Sequence, residues 1–237
     1  MKVYAIGDTH LSSVVKKPMD IFGDGWDNHF ERIVEDWRKK VGKDDLVLIP
    51  GDISWGMHLE EAKPDLDLIA KLPGFKIITR GNHDYWWKSI TSVRGALGEQ
   101  MFALQNDALR FDGITICGTR GWTVPEVEGN FKDSDDEKIF NRELIRLELG
   151  LTAMEKMAEP GDKRVVMIHY PPFNAKMLPS PFTRMCEKFN VDFVVYGHLH
   201  GKHCRVKHEL MQNGVKYFLT SCDQVNCELV HICDVNE

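Results

Sequence analysis

None of the six cysteines of this 237-residue chain, at 117, 186, 204, 222, 227 and 233, stands in a Cys-x-x-Cys pair. A disulfide framework belongs to short secreted chains, so reduced and mostly buried thiols are expected instead. No apolar run reaches the length of a membrane span. The opening residues, Met1 to Asp8, lack the long apolar stretch and small-residue cleavage site of a signal peptide. The expected place is the cytoplasm, with no membrane partner. A basic surplus is missing too: 30 Lys and Arg face 36 Asp and Glu, for a formal net charge of −6. That balance argues against a nucleic-acid partner, though a small anionic substrate fits. There is no internal repeat or low-complexity segment. Apolar residues at 43% and charged residues at 28% match an ordinary globular chain, long enough for one sizeable core.

What is present is a series of short β-branched runs stopped by turn residues. Residues 2–6, 46–49, 75–79, 114–117, 165–168 and 193–196 read as buried strands. Residues 202–209, 215–220 and 228–232 read as further strands in a meander. Helical spacing falls between the early strands. Phe30, Ile33, Trp37 and Val41 form one apolar face, with Asn28 and Glu31 set as a capping box. Residues 64–72 hold a second helix, which Pro64 starts or kinks. Part of 85–97 holds a third. Phe140, Leu144, Leu147, Leu151, Met154 and Ala158 mark the longest helix. The pattern predicts one α/β domain over 1–237 with two stacked β-sheets flanked by helices. The segment from about 121 to 162 is the one candidate for a helical insertion or lid; as a helix packed on the sheet it needs neither.

A polar cluster follows five of these strands. They are Asp8-Thr9-His10, Gly51-Asp52, Gly81-Asn82-His83-Asp84, His169-Tyr170-Pro171-Pro172 and Gly197-His198-Leu199-His200. In open α/β sheets, sites lie outside the carboxyl ends of the strands. Taken singly, each cluster is an ordinary turn or surface pattern. Together, and in this order, they supply carboxylate, amide and imidazole groups to one rim. Such a donor set suits borderline first-row metals, and the lack of cysteine ligands argues against a structural zinc site.

The same five motifs resemble the calcineurin-like metallophosphoesterase superfamily, from Asp8 to His200. The resemblance implies a four-layer α/β/β/α sandwich and two divalent transition-metal ions, manganese favoured among iron, zinc, cobalt and nickel. It implies that Asp8, His10, Asp52 and His200 hold one ion, and that Asp52, Asn82, His169 and His198 hold the other, with Asp52 bridging. The implied activity is hydrolysis of a small phosphoester, leaning to a phosphodiester, by a hydroxide bridged between the metals. It further implies that His83 is the general acid for the leaving group, oriented by Asp84. Arg80 and Arg120 are candidates for contacts to phosphate. Trp55, Trp86, Trp87 and Trp122 could cover a leaving group or simply pack in the core.

Departures narrow the branch. Ser/Thr protein phosphatases of the superfamily carry an arginine after the second Gly-Asp, whereas this loop reads Gly-Asp-Ile-Ser-Trp-Gly-Met. The pattern looks closer to compact phosphodiesterase-like members. A nuclease on the same metal core is the alternative, although no basic run suggests a groove for several phosphates. A non-catalytic scaffold, as in retromer-type relatives that lose ligands, fits less well because all seven ligand positions and His83 are kept.

Overall fold

The computed structural model describes residues 1–235. A first sheet has the order β11-β1-β2-β3-β4: β1 (Lys2–Ala5), β2 (Leu46–Pro50), β3 (Phe75–Thr79) and β4 (Met101–Leu104) run parallel, and β11 (Val230–Asp234) is antiparallel at the edge. The second sheet has the order β5-β6-β7-β8-β10-β9. Here β6 (Ile114–Thr119), β7 (Lys163–Ile168), β8 (Phe193–Tyr196) and β10 (Val215–Leu219) are parallel. The edges β5 (Asp107–Phe111) and β9 (Glu209–Gln212) are antiparallel.

The helices cover the two outer faces. α1 (His29–Lys40), α2 (Leu59–Ala70) and α3 (Ile90–Ala96) flank the first sheet; α4 (Ser134–Met157) and α5 (Pro181–Lys188) flank the second. Three apolar cores result. Side chains alternate along a strand, so Val3, Ala5, Leu46 and Leu48 meet Ile116, Val165 and Met167 between the sheets. Tyr4, Ile6, Val47 and Ile49 point the other way, into the helices. Covering both faces is why these strands are apolar without a break. α4 buries Phe140, Leu147, Leu151 and Met154 in the core beneath the second sheet, and Asp133 caps it by accepting the amides of Asp135 and Asp136.

The architecture is the expected α/β sandwich, with local differences. β4 and β5 were not expected. Both are short, and β5 is a half-buried edge strand carrying Arg110, which blurs its apolar signal. Residues 202–208 are not a strand; β9 begins only at Glu209. Asn28 makes no capping box, because its backbone is left-handed at φ 46° and its side chain makes no cap bond. Pro64 does not start its helix but lies inside α2.

Candidate metal centre

Four of the seven expected ligands have a backbone that L-residues rarely adopt. Asp8, His10, Asp52 and His198 have φ of 56°, 44°, 51° and 71°. Such strain persists only where surrounding bonds hold it, and it gathers at functional sites. Here the bonds are visible. The amide of Asp8 donates to Gly51 O (3.0 Å) and that of His10 to Asp52 O (3.0 Å), tying the loop after β1 to the loop after β2. The amide of His198 donates to both carboxylate oxygens of Asp8 (3.1 Å each), and the amide of His83 donates to Asp52 Oδ1 (2.8 Å). Glycine is required where these loops cross: a Cβ on Gly81 would overlap the Asp52 carboxylate, and one on Gly197 would overlap that of Asp8.

The strand ends therefore bring donor atoms of Asp8, His10 and His200 within 4.8 Å of one another, and likewise those of Asp8, Asp52 and His169. His169 Nε2 and His198 Nδ1 both converge on Asn82 Oδ1, at 2.7 and 2.8 Å. His169 Nε2 also lies 3.5 Å from Asp52 Oδ2, and His10 Nε2 lies 3.7 Å from the same oxygen. Asp8 belongs to both groups, and Asp52 Oδ2 faces one imidazole of each. His169 Nδ1 bonds Pro50 O at 3.0 Å, which as a donor fixes the tautomer and turns the Nε2 lone pair toward the cluster. His200 Nδ1 bonds Asp223 Oδ1 at 2.8 Å and leaves Nε2 toward Asp8 (3.3 Å). Asp223 was not singled out in the sequence. Its position just after β10, at the same rim, was the available signal.

The electrostatics are those of a site built for cations. Asp8, Asp52 and His169 are almost wholly buried. Burial and the neighbouring Asp8 push Asp52 up to about 8, as expected of two carboxylates lacking compensating charge. Burial holds the imidazoles of His10 and His169 below their ordinary range and that of His198 at about 3, so all three stay neutral, the form that binds metal. Burial opposes a charge on His200 as well, yet Asp8 and Asp223 raise it to about 10. His10 Nδ1 and His200 Nε2 are buried without a hydrogen-bond partner. Carboxylate, amide oxygen and oriented imidazole, with unpartnered nitrogens among them, fit divalent metal ions.

Two neighbours differ from expectation or extend it. Asp84 does not orient the His83 ring. It is fully buried, and its carboxylate accepts from the amides of Gly81 (2.7 Å), Asp52 (2.9 Å) and Ile53 (2.8 Å) and from Trp86 Nε1 (3.0 Å). With the Ser54 amide (3.3 Å), five donors occupy the group that a histidine would need, and they clamp the two loops together. His83 itself is half-buried beside Trp55 (ring centroids 4.7 Å) and His10 (5.7 Å), and its Nδ1 has no partner. Burial and Lys17 lower its pKa.

Trp55 stacks on His10 at 4.7 Å, while Trp86 and Trp87 are core residues. Trp122 packs on Tyr170 at 5.2 Å and donates to Asp136. Arg80 and Arg120 lie together in a cavity of about 250 Å³ whose walls include none of the seven donors. A larger cavity of about 540 Å³ opens at His198 and His200 and is lined by Tyr170, Phe173, Met177 and Leu199. Among the described residues, no helix is long and apolar enough to cross a membrane.

Comparison with known proteins agrees with this architecture. A family model described as calcineurin-like phosphoesterase matches residues 1–202. A solved structure of a protein of unknown function from Aquifex aeolicus superposes with a TM-score of 0.51 at 16% identity, over 97% of this chain and 95% of that one. The phosphopantetheinyl hydrolase of Mycobacterium tuberculosis superposes with a TM-score of 0.59 at 14% identity, over 99% and 96%. At such identities the likeness is one of fold. The search of curated proteins finds no match.

Proposed function

From the premise that the chain belongs to the calcineurin-like phosphoesterase family, and is thus a metal-dependent phosphoester hydrolase, we propose that its seven clustered donors hold two ions and that its substrate is a phosphodiester. Asp8, His10, Asp52 and His200 would hold one ion; Asp52, Asn82, His169 and His198 would hold the other. The observation that carries this reading is the convergence of the Asp8, His10, Asp52, His169 and His200 donor atoms in two groups that share Asp8, each within 4.8 Å, with Asp52 Oδ2 facing His10 and His169 at 3.7 and 3.5 Å. Carboxylate, amide and imidazole donors suit first-row divalent metals, among which manganese is the one favoured in this reading. Bound divalent ions supply Lewis acidity toward a phosphoryl oxygen and lower the pKa of water.

The chain's own residues do the rest. Pro50 O and Asp223 fix the His169 and His200 rings, so little reorganisation is needed when substrate binds. The main-chain bond from His83 to Asp52 Oδ1 places the His83 ring beside the donors. His83 is the proton donor to the leaving oxygen in this reading. Its Nδ1 is buried, which leaves Nε2 for the transfer. Burial first and Lys17 second lower this pKa in the absence of substrate, and an anionic phosphate beside the ring acts in the opposite direction. The cavity of Tyr170, Phe173, Met177 and Leu199 gives an apolar alcohol a place at the edge of the centre.

The lean to diesters rests on charge. Arg80 and Arg120 line a cavity apart from the seven donors, which leaves Arg205 as the single arginine lining the cavity at His198 and His200. A diester monoanion suits such a site better than a monoester dianion. The test loads the protein with manganese and offers bis-p-nitrophenyl phosphate, p-nitrophenyl phosphate and single-stranded DNA in parallel. Turnover mainly of the first is expected. Turnover mainly of the second would overturn the diester assignment, and cleavage of DNA would favour a nuclease.

A further inference from the structure

The cavity that contains Arg80 and Arg120 is more basic than its two sequence-flagged residues suggest. Lys88, Arg142 and Arg146 line it too, together with Gln105, Asn106 and Thr119. Only one carboxylate compensates the three arginines on the α4 side. Glu143, fully buried, receives Arg146 at 2.7 Å, Arg120 at 3.4 Å and Arg142 at 3.7 Å. Arg80 and Lys88 make no ion pair among the described residues. Arg80 Nε and Arg120 Nε are buried donors with no partner. Five cations whose ion pairs all run to Glu143, with the buried Asp84 carboxylate also acting on Arg80, are a local excess in a chain of formal net charge −6. Like charges so close are costly unless an anion offsets them.

We propose that this cavity is a second site, separate from the seven-donor centre, which holds a phosphate-class oxyanion. Planar guanidinium forks bind tetrahedral oxyanions through paired N–H bonds, and several here point into one space. The volume of about 250 Å³ admits one phosphate group with a few waters, at about 30 Å³ per water. The walls are shared with the catalytic rim. Arg80 lies two residues before Asn82, and the carbonyl of Arg120 accepts the amides of His169 (3.1 Å) and Tyr170 (3.0 Å). An oxyanion held here sits on the same loops as the candidate ligands, whether it is a second phosphate of the substrate or free phosphate. The site does not depend on the metal assignment, since none of its residues is a proposed ligand.

The test uses Lys88→Gln/Arg142→Gln in the full-length, manganese-loaded protein, because both side chains are exposed and neither belongs to the catalytic cluster. Equilibrium dialysis against labelled inorganic phosphate should show one equivalent fewer bound in the variant, or that equivalent bound at least ten-fold more weakly. Turnover of bis-p-nitrophenyl phosphate should stay within two-fold of the native rate. Equal phosphate stoichiometry and affinity in the two proteins would overturn the site. So would a parallel loss of diester turnover, since the cavity would then not be separate. A nucleoside 3′,5′-bisphosphate preferred about ten-fold over the 5′-monophosphate by the native protein, and not by the variant, assigns the oxyanion to substrate. Absence of that preference, with the lost equivalent still seen, assigns it to free phosphate.

Discussion

His83 and Asp223 are the two residues whose roles can be separated most cleanly by substitution. His83 bonds the donor cluster through its main chain, and its ring packs beside His10 without a hydrogen bond to any donor, so His83→Ala should keep the bound metal. Loss of a positioned proton donor typically costs ~10²–10⁴-fold in turnover. Metal analysis beside a rate on bis-p-nitrophenyl phosphate checks this; a metal-loaded His83→Ala with native turnover would remove the histidine from the mechanism. Asp223 holds His200 Nδ1 at 2.8 Å, and its second oxygen accepts the amide of Gly201 (2.8 Å). Outer partners of ligating histidines are worth roughly 10–100-fold in metal affinity. Asp223→Asn should therefore weaken metal binding by that factor, while saturating metal restores most of the rate. A rate loss that excess metal does not repair would contradict a positioning role. The seven donors were legible because each follows a β-branched run; Asp223 was not, since a lone aspartate after Ser-Cys has no motif around it.

The crossing loops act as one element. Asp84 joins the loops after β2 and β3 through four amides and Trp86. Asp84→Asn replaces an acceptor with a group that also turns donors toward those amides. The expected loss is about 3 kcal/mol in urea unfolding of the metal-free protein; a loss under about 1 kcal/mol would show that the clamp is unimportant. A second tie lies far from the site. Asp162 accepts from Arg110 (2.7 Å), Thr115 (2.9 Å) and the Glu159 amide (3.0 Å), fastening the turn after α4 to β5 and β6. The Arg110 bond holds this carboxyl down at about 2. A lowered carboxyl stabilises the fold fully above its unfolded value near 4 and loses that contribution as pH falls toward 2. The stability gap between the native protein and Asp162→Asn should therefore shrink between pH 5 and pH 2.5, and a gap that stays constant would contradict the assignment. At this scale the sequence was partly readable. Central strands announce themselves by unbroken apolar runs, but β4 and β5 do not, and the 28–31 spacing imitates a cap that a left-handed Asn28 does not form.

Across the whole molecule, two sheets with parallel centres direct loops to one rim, and the charge is distributed against the global sign. The net charge of −6 argues against a broad nucleic-acid surface, but it gives no hint of the five-cation cavity. Residues 80 and 88 lie in the loop between β3 and α3, 120 follows β6, and 142 and 146 lie in α4, so they meet only after both sheets and α4 have packed. The catalytic motifs are short and ordered along the chain, whereas the cavity has no such order, so only folding reveals it. The central claim, that the seven donors hold two ions needed for phosphoester hydrolysis, is tested most directly by titrating manganese into chelator-treated protein while following bis-p-nitrophenyl phosphate. The account predicts no turnover without metal and a rise that saturates at two ions per chain. Full turnover without metal, or saturation at a single ion, would contradict it.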